Sequence, residues 1–215
     1  MKHSKIFLKG NNKDLSTVFD GVFKENLWGS SESKSGMGSN IQNTRHILSG
    51  IKTIIQEYNI KTFLDVPCGD CNWIDPNNLG CEYIGADIVQ DLIDNNKSKL
   101  PGIEFQKIDL TTDKIPQVDL IMCRECLQHL SFENGKKAIN NIINSGSKYL
   151  LVTHYSNGEN KDIMNGMYYE MNLLQPPFNF GTPITSIEEK DNNLFYKTNN
   201  LEYLYLYEID KLKQF

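Results

Sequence analysis

The chain has 215 residues and a net charge of −5 at neutral pH, from 22 basic and 27 acidic side chains. This length favours one domain, and a hydrophobic content of 39 % excludes a disordered chain. The acidic balance argues against nucleic acid as a partner, and no apolar stretch approaches the roughly 20 residues of a membrane span. Five cysteines without a regular framework are typical of reduced thiols in a cytoplasmic compartment.

The hydrophobic pattern predicts helices that alternate with strands. Apolar residues recur at helical spacing in residues 14–27 and 41–58, which are separated by a glycine- and serine-rich loop at 29–39. Short apolar runs and further helical segments then alternate, which indicates a parallel sheet covered on both faces. The predicted strands are 61–66, 82–86, 103–108, 118–123 and 148–154, and the predicted helices are 89–99 and 132–145. Two near-consecutive strands, 184–189 and 201–209, predict a terminal antiparallel hairpin.

Polar side chains follow the predicted parallel strands, where open α/β sheets bind their ligands. In strand order they are Asp65, Asp87, Asp109, the pair Arg124 and Glu125, and His154. A carboxylate after the second strand suits the two hydroxyls of a ribose, and one after the third suits an adenine amino group. The sequence therefore predicts a nucleoside-binding site at this edge.

The turn after the first strand, Asp65-Val-Pro-Cys-Gly-Asp70, discriminates between nucleoside ligands. A dinucleotide site needs a glycine-lined turn, so that a pyrophosphate can approach a helix N-terminus. This turn has one glycine, one proline and two acids, and it would repel a pyrophosphate. It favours a ligand with an ammonium, a sulfonium and no phosphate, which describes S-adenosylmethionine (SAM). A dinucleotide dehydrogenase is a distant alternative.

The same turn and Tyr83-Ile-Gly-Ala-Asp87-Ile88 resemble the first two motifs of class I SAM-dependent methyltransferases. More narrowly, five blocks resemble a family of small, mostly uncharacterised methyltransferases from bacteria and large DNA viruses. The blocks are Asn26–Ser30 with Ser35–Ser39, Asp65–Trp73, Ala86–Val89, Cys123–Leu130 and Asn172–Phe178. The resemblance implies an α/β, Rossmann-like fold with a seven-stranded sheet in the order 3-2-1-4-5-7-6. It also implies SAM as the cofactor and S-adenosylhomocysteine as the product.

The motifs and strand ends together predict the residues that bind the cofactor. They are Trp28, Ser39, Arg45, Asp65, Pro67, Gly69, Asp70, Trp73, Asp87, Ile88, Asp109, Leu110 and Arg124. The glycine- and serine-rich loop is expected to cover the methionine carboxylate, and Arg45 suits that carboxylate because a guanidinium pairs with it bidentately. Plainer alternatives stay open: Asp65 and Asp87 as helix N-caps, Trp73 as core packing inside a following helix, and the loop as a solvated connector.

The candidate catalytic residues are His129, His154 and Glu125. Methyl transfer needs orientation and a base for the acceptor proton, and the two histidines are equal candidates for that base. The alternative for His129 is packing beneath the sheet edge. If residues 125–129 are helical, Glu125 and His129 lie on one face of that helix.

Two patterns raise the question of a metal. Some methyltransferases hold a divalent ion with Glu-x-x-Glu-His, but Gln128 replaces the second acid here, so we expect transfer without a metal. The pairs Cys68/Cys71 and Cys123/Cys126 have the spacing of zinc ligands. Because zinc there would occupy the cofactor site, buried thiols are the favoured interpretation.

The sequence thus predicts a SAM-dependent methyltransferase. By exclusion of other acceptor classes, we expect it to methylate an oxygen of a small polar acceptor such as a sugar or glycan. The alternatives are N-methylation of a small molecule and a SAM-binding accessory domain without turnover. We expect a single domain over 1–215, in which 1–58 hold the N-terminal helices and the lid, and 59–215 the SAM-binding core with the hairpin. The expected location is the cytoplasm, or the host cytoplasm or virion if the chain is viral.

Overall fold

Two helices precede the sheet in the computed structural model, which describes residues 14–28, 30–189 and 201–215. Helix α1 spans Leu15–Lys24, and it begins where the Asp14 side chain accepts a hydrogen bond from the Thr17 amide. Helix α2 spans Ile41–Glu57 and buries isoleucines at positions 47, 51, 54 and 55 along one face. Both helices were predicted from the spacing of their apolar residues.

A seven-stranded sheet in the order β3-β2-β1-β4-β5-β7-β6 forms the centre of the molecule, which confirms the predicted order. The parallel strands are β1 (Thr62–Asp65), β2 (Glu82–Asp87), β3 (Glu104–Lys107), β4 (Leu120–Cys123) and β5 (Tyr149–Tyr155). Helix α3 (Gln90–Lys99) connects β2 to β3, and helix α4 (Phe132–Asn144) connects β4 to β5. The last strands, β6 (Thr185–Glu189) and β7 (Glu202–Glu208), are antiparallel, as predicted.

Each face of the sheet buries its own hydrophobic cluster. Ile121 packs with Ile139 of α4 on one face, and Leu120 packs with Ile47 and Ile51 of α2 on the other. All four residues of β4 are buried, because successive side chains of a strand point to opposite faces and both faces are covered. Because both faces are covered, the sequences of the central strands are continuous apolar runs. Among the described residues, no helix combines the length and apolar character needed to cross a lipid bilayer.

The connection from β1 to β2 contains no α-helix. Turns, bends and the short 3₁₀ turn Pro76–Asn78 fill it. The alternative that placed Trp73 inside a following helix is therefore wrong. Asp65 is also no helix N-cap, since no α-helix begins after it in this connection.

The antiparallel strands bring polar residues to the carboxyl edge of the parallel ones. Glu202, the first residue of β7, pairs in register with Tyr155 at the end of β5 and with Glu189 at the end of β6. Directly opposed residues share a face of the sheet. Tyr155, Glu202 and Glu189 therefore form a row beside the end of β4.

Candidate functional site

A cavity of about 1010 Å³, its open mouth included, lies at the carboxyl ends of β1, β2 and β4, and α1, Trp28 and the 30–39 loop also line it. The predicted residues that line it are Trp28, Ser39, Asp65, Pro67, Gly69, Trp73, Asp87, Ile88, Asp109, Leu110, Arg124, Glu125 and His129. Three predicted residues, Arg45, Asp70 and His154, do not line it.

Asp65 places a buried carboxylate at the base of the cavity. Its side chain is 2 % exposed, and its Oδ2 accepts a hydrogen bond from the Tyr83 hydroxyl at 2.8 Å. Burial raises the pKa of Asp65 to about 7, although the Tyr83 bond and the Arg124 charge both act to lower it. A cationic group in the cavity would stabilise the ionised form of this carboxylate.

Asp87 is held rigidly at the end of β2. Its Oδ2 accepts from the Gly69 amide at 3.1 Å and its Oδ1 from the Val89 amide at 2.9 Å. Burial raises the pKa of Asp87 to about 6 against these two bonds. Because Val89 occupies the N-cap position of α3, Asp87 is not the cap residue itself. The carboxylate retains lone pairs for hydroxyl donors in the cavity.

Asp109 follows β3 and accepts hydrogen bonds from the amide and hydroxyl of Thr111 at 2.8 and 2.6 Å. The apolar side chains of Ile88 and Leu110 line the cavity beside Asp87 and Asp109 respectively. This arrangement offers two carboxylates separated by apolar walls, which fits a ribose and a planar base.

Asp70 holds the loop of residues 30–39 against the first turn instead of lining the cavity. Its carboxylate accepts from the Ser33 hydroxyl, the Lys34 amide and the Ser35 hydroxyl at 2.9, 2.8 and 3.2 Å. Gly69 has a φ of +56°, and a Cβ built on it would lie 2.1 Å from Ser35 Oγ. Glycine is thus required at position 69 because the loop approaches so closely.

The 30–39 loop itself contributes to the cavity wall. Lys34, Ser35 and Ser39 all line the cavity, which supports a lid more than a solvated connector. Lys34 and Ser35 were not predicted as site residues. Their only sequence signal was their position in the loop.

Arg124 is the arginine at the cavity, whereas Arg45 is exposed on α2 outside it. Arg124 is 6 % exposed. Its Nε and Nη2 donate to the two carboxylate oxygens of Glu189 at 2.9 and 2.6 Å. Nη2 also donates to the Gly38 carbonyl at 3.0 Å. Its guanidinium lies 5.2 Å from the ring centre of Trp73. Nη1 has no hydrogen-bond partner in the ranges that the structure describes. The expectation for Arg45 therefore has no geometric support.

His129 lines the cavity, and a hydrogen bond orients its ring. Its Nδ1 lies 2.8 Å from the Met167 carbonyl oxygen, which can only accept, so Nδ1 carries the proton and Nε2 keeps its lone pair. The ring lies 5.0 Å from Trp28 and 5.7 Å from Tyr168, centre to centre. Burial lowers the pKa of His129, with the charge of Glu125 acting in the opposite direction. A neutral, oriented imidazole of this kind can act as a base near pH 7.

His154 faces away from the cavity, and its predicted role as a base is not supported. The side chain is 1 % exposed, stacks on Tyr205 at 4.2 Å and accepts a hydrogen bond from the Leu173 amide at Nδ1. Burial lowers its pKa to about 4. The physical reason is strand alternation, since the neighbouring Thr153 and Tyr155 both contact Glu125 and His154 must point to the other face.

Glu125 lines the cavity beside His129 in an irregular segment. Its φ of +53° and the 3₁₀ turn Leu127–His129 show that the two residues do not share a face of one α-helix. The Glu125 Oε1 accepts from Gln128 Nε2 at 2.7 Å and from the Tyr155 hydroxyl at 3.1 Å. Burial raises the pKa of Glu125, but a hydrogen bond with Glu202 and the charges of Arg124 and His129 bring it below its usual value.

The cysteines are free thiols, and Cys68 and Cys71 both lie against the Asn96 amide, whose Nδ2 is 3.7 and 3.6 Å from the two sulfurs. A hydrogen bond with Cys71 and burial both raise the pKa of Cys68. Within residues 14–28, 30–189 and 201–215, no three His, Cys, Asp or Glu side chains are grouped to hold a metal ion.

This cavity lies at the carboxyl ends of the parallel strands, where open α/β sheets bind their ligands, and solved structures with a similar fold are SAM-dependent methyltransferases. A SAM-dependent methyltransferase from Leishmania major matches 95 % of this chain and 89 % of its own, with a TM-score of 0.63 and 14 % identity. Magnesium protoporphyrin IX methyltransferase from Synechocystis PCC 6803, solved with SAM, matches 91 % of this chain and 99 % of its own, with a TM-score of 0.58 and 14 % identity. The methyltransferase domain of bacterial CtHen1 has a TM-score of 0.52 at 14 % identity, over 77 % of this chain and 99 % of its own. No protein-family model and no curated protein sequence matches the chain.

Proposed function

We propose that this protein is a SAM-dependent methyltransferase that methylates an oxygen of a small polar acceptor such as a sugar or glycan. The observation that carries the proposal is the set of three carboxylates, Asp65, Asp87 and Asp109, around one cavity in this fold. Asp87 would accept from the ribose hydroxyls and Asp109 from the adenine amino group. The product would be S-adenosylhomocysteine.

The cofactor's methionine end fits the remaining polar groups. Asp65 is a buried carboxylate with no cation in direct contact among the described residues, which suits an ammonium group. Arg124 Nη1 and Lys34 are the cations available for the methionine carboxylate. A pyrophosphate would instead meet Asp65 in a connection without an α-helix, so these residues support SAM over a dinucleotide.

The chain's contribution to the chemistry is orientation and a proton acceptor. When bound, SAM supplies a methyl group on a sulfonium for an in-line displacement. His129 Nε2 would accept the proton of the attacking hydroxyl, while Met167 fixes the ring through Nδ1. Trp28 packs against the same ring and excludes water from that side.

The charged residues that line the cavity indicate which acceptors it can bind. Four carboxylates line it, at Asp65, Asp87, Asp109 and Glu125, whereas one of its two cations, Arg124, is already paired with Glu189. A phosphorylated acceptor would be repelled by this balance. Trp28 beside His129 offers an aromatic face for the C–H surface of a sugar ring. These features support a neutral hydroxyl acceptor.

The test is a screen with methyl-labelled SAM against free sugars, the matching sugar phosphates, small phenols and amines. We expect a methyl ether on a neutral sugar or glycan and much slower transfer to the matching phosphate. Methylation of amines alone would favour the alternative N-methyltransferase. Cofactor binding without product on any acceptor would favour an accessory domain.

We further propose that residues 1–215 form one domain, with 1–58 as the N-terminal helices and lid and 59–215 as the SAM-binding core. The lid assignment is supported by the contacts of Asp70 with the 30–39 loop. A cytoplasmic location, or a virion if the chain is viral, is supported by its five free thiols.

A further inference from the structure

A cluster of carboxyl groups lies behind His129 and has no direct part in the proposed transfer. Glu125, Glu189 and Glu202 come from three separate segments, and Arg124 pairs with both oxygens of Glu189. Glu202 lies in register between Tyr155 and Glu189. The sheet thus places Glu202 beside Glu125.

The hydrogen bonds of the cluster show where its extra proton resides. Glu125 Oε1 accepts from Gln128 and Tyr155, whereas the enclosed Oε1 of Glu202 has no donor among the described residues. Glu202 lies opposite Tyr155, whose hydroxyl donates to Glu125, so the two carboxyl groups are neighbours in a buried cluster, where two ionised carboxylates would repel each other. Because Glu125 Oε1 has two donors and Glu202 Oε1 has none among the described residues, the proton belongs on Glu202. In agreement, burial and the charge of Glu125 raise the pKa of Glu202 well above its usual value.

We propose that Glu202 is a positioning residue, which donates its carboxyl proton to Glu125 and so keeps Glu125 ionised beside His129. When the acceptor oxygen bonds to the methyl carbon and the bond from that carbon to the sulfonium sulfur breaks, His129 Nε2 would take the acceptor's proton, and ionised Glu125 would stabilise the resulting imidazolium. The proton of Glu202 stays on Glu202 throughout. This inference rests on the proposed role of His129 as the base.

Other groups also face the three residues of this pathway. His129 faces the Met167 carbonyl and the rings of Trp28 and Tyr168, and Glu125 faces Arg124, Gln128 and Tyr155. Glu202 faces Glu189 and Arg124, and the charge of His46 also acts on Glu189. None of these charges changes when Glu202 is replaced by glutamine or leucine. The two replacements differ in one respect, because glutamine can still donate to Glu125 and leucine cannot.

The experiment is an NMR titration of the His129 imidazole in the ligand-free protein, assigned with His129→Asn. We expect Glu202→Gln to titrate like the wild type, and Glu202→Leu to shift the His129 midpoint to lower pH by about one pH unit, because Glu125 then takes up a proton and its charge is lost. Glu188→Gln is the matched control; it removes an exposed charge next to Glu189 and should not shift the midpoint.

Two further arms keep the test decisive. If Glu202→Leu does not fold, Glu202→Met also removes the donor to Glu125 and should shift the midpoint in the same direction. An unchanged midpoint in the folded apolar variant would overturn the proposal, as would an equal shift in Glu202→Gln and that variant. Since the titration needs no acceptor, failure of the methyltransferase proposal would appear separately, as absence of methylated product.

Discussion

Replacing Asp65 by asparagine should make the ligand-free protein more stable at high pH and weaken its affinity for SAM. The pKa of Asp65 is about 7 in the folded chain, against 3.8 as its ordinary value. A raised carboxyl pKa contributes stability that is fully present below the unfolded pKa and is lost as pH rises through about 7. The shift of about 3 pH units corresponds to about 4 kcal/mol at pH 8.5. Asparagine removes that destabilising charge and still accepts from Tyr83.

Urea unfolding of the ligand-free proteins at pH 8.5 and pH 4.5 measures this difference. We expect Asp65→Asn to exceed the wild type by about 2–4 kcal/mol at pH 8.5 and by about 1 kcal/mol at pH 4.5. Asp87→Asn is the matched control: Asp87 accepts from two amides, so the new NH₂ group would face an amide donor and offset the gain. Equal or lower stability of Asp65→Asn at pH 8.5 would refute the argument that Asp65 is a desolvated charge.

Three further outcomes follow from the site. Asp87→Ala should weaken SAM binding by about 1–3 kcal/mol in calorimetry, and wild-type affinity should fall as pH drops through about 6, where Asp87 takes up a proton. His129→Ala should reduce turnover by roughly 10²–10⁴ with SAM affinity nearly intact. His154→Ala should lower the melting temperature and leave turnover per folded molecule unchanged. Equal losses of turnover in both variants would argue against His129 as the base. Asp70→Ala should increase amide hydrogen exchange in residues 30–39, because three hydrogen bonds that hold the loop are lost; unchanged exchange there would show that other contacts hold it.

The sheet could be predicted because its determinants are local. Buried parallel strands read as apolar runs, and the polar residue after each run marks the carboxyl edge. Asp65, Asp87 and Asp109 were therefore predicted at the cavity and are found there. The same reasoning predicted the terminal antiparallel strands.

The predictions that the structure does not support concern the direction of side chains and contacts between residues far apart in the chain. His154 was predicted to end its strand, but β5 runs on to Tyr155, and the alternation of side chains along the strand turns His154 away from the site. Asp70 was assigned to the cofactor, whereas it contacts a loop 35 to 37 residues earlier in the chain. The pairing of Glu202 with Glu189 depends on β-strand register, which local spacing does not encode.

The most direct test of the account is calorimetric titration of the wild-type protein with S-adenosylhomocysteine, SAM and NAD. We predict micromolar or tighter binding of the first two and no binding of NAD, because Asp65 and the absence of an α-helix after β1 leave no place for a pyrophosphate. Binding of NAD, with no binding of SAM or S-adenosylhomocysteine, would contradict the proposed cofactor and the function that rests on it.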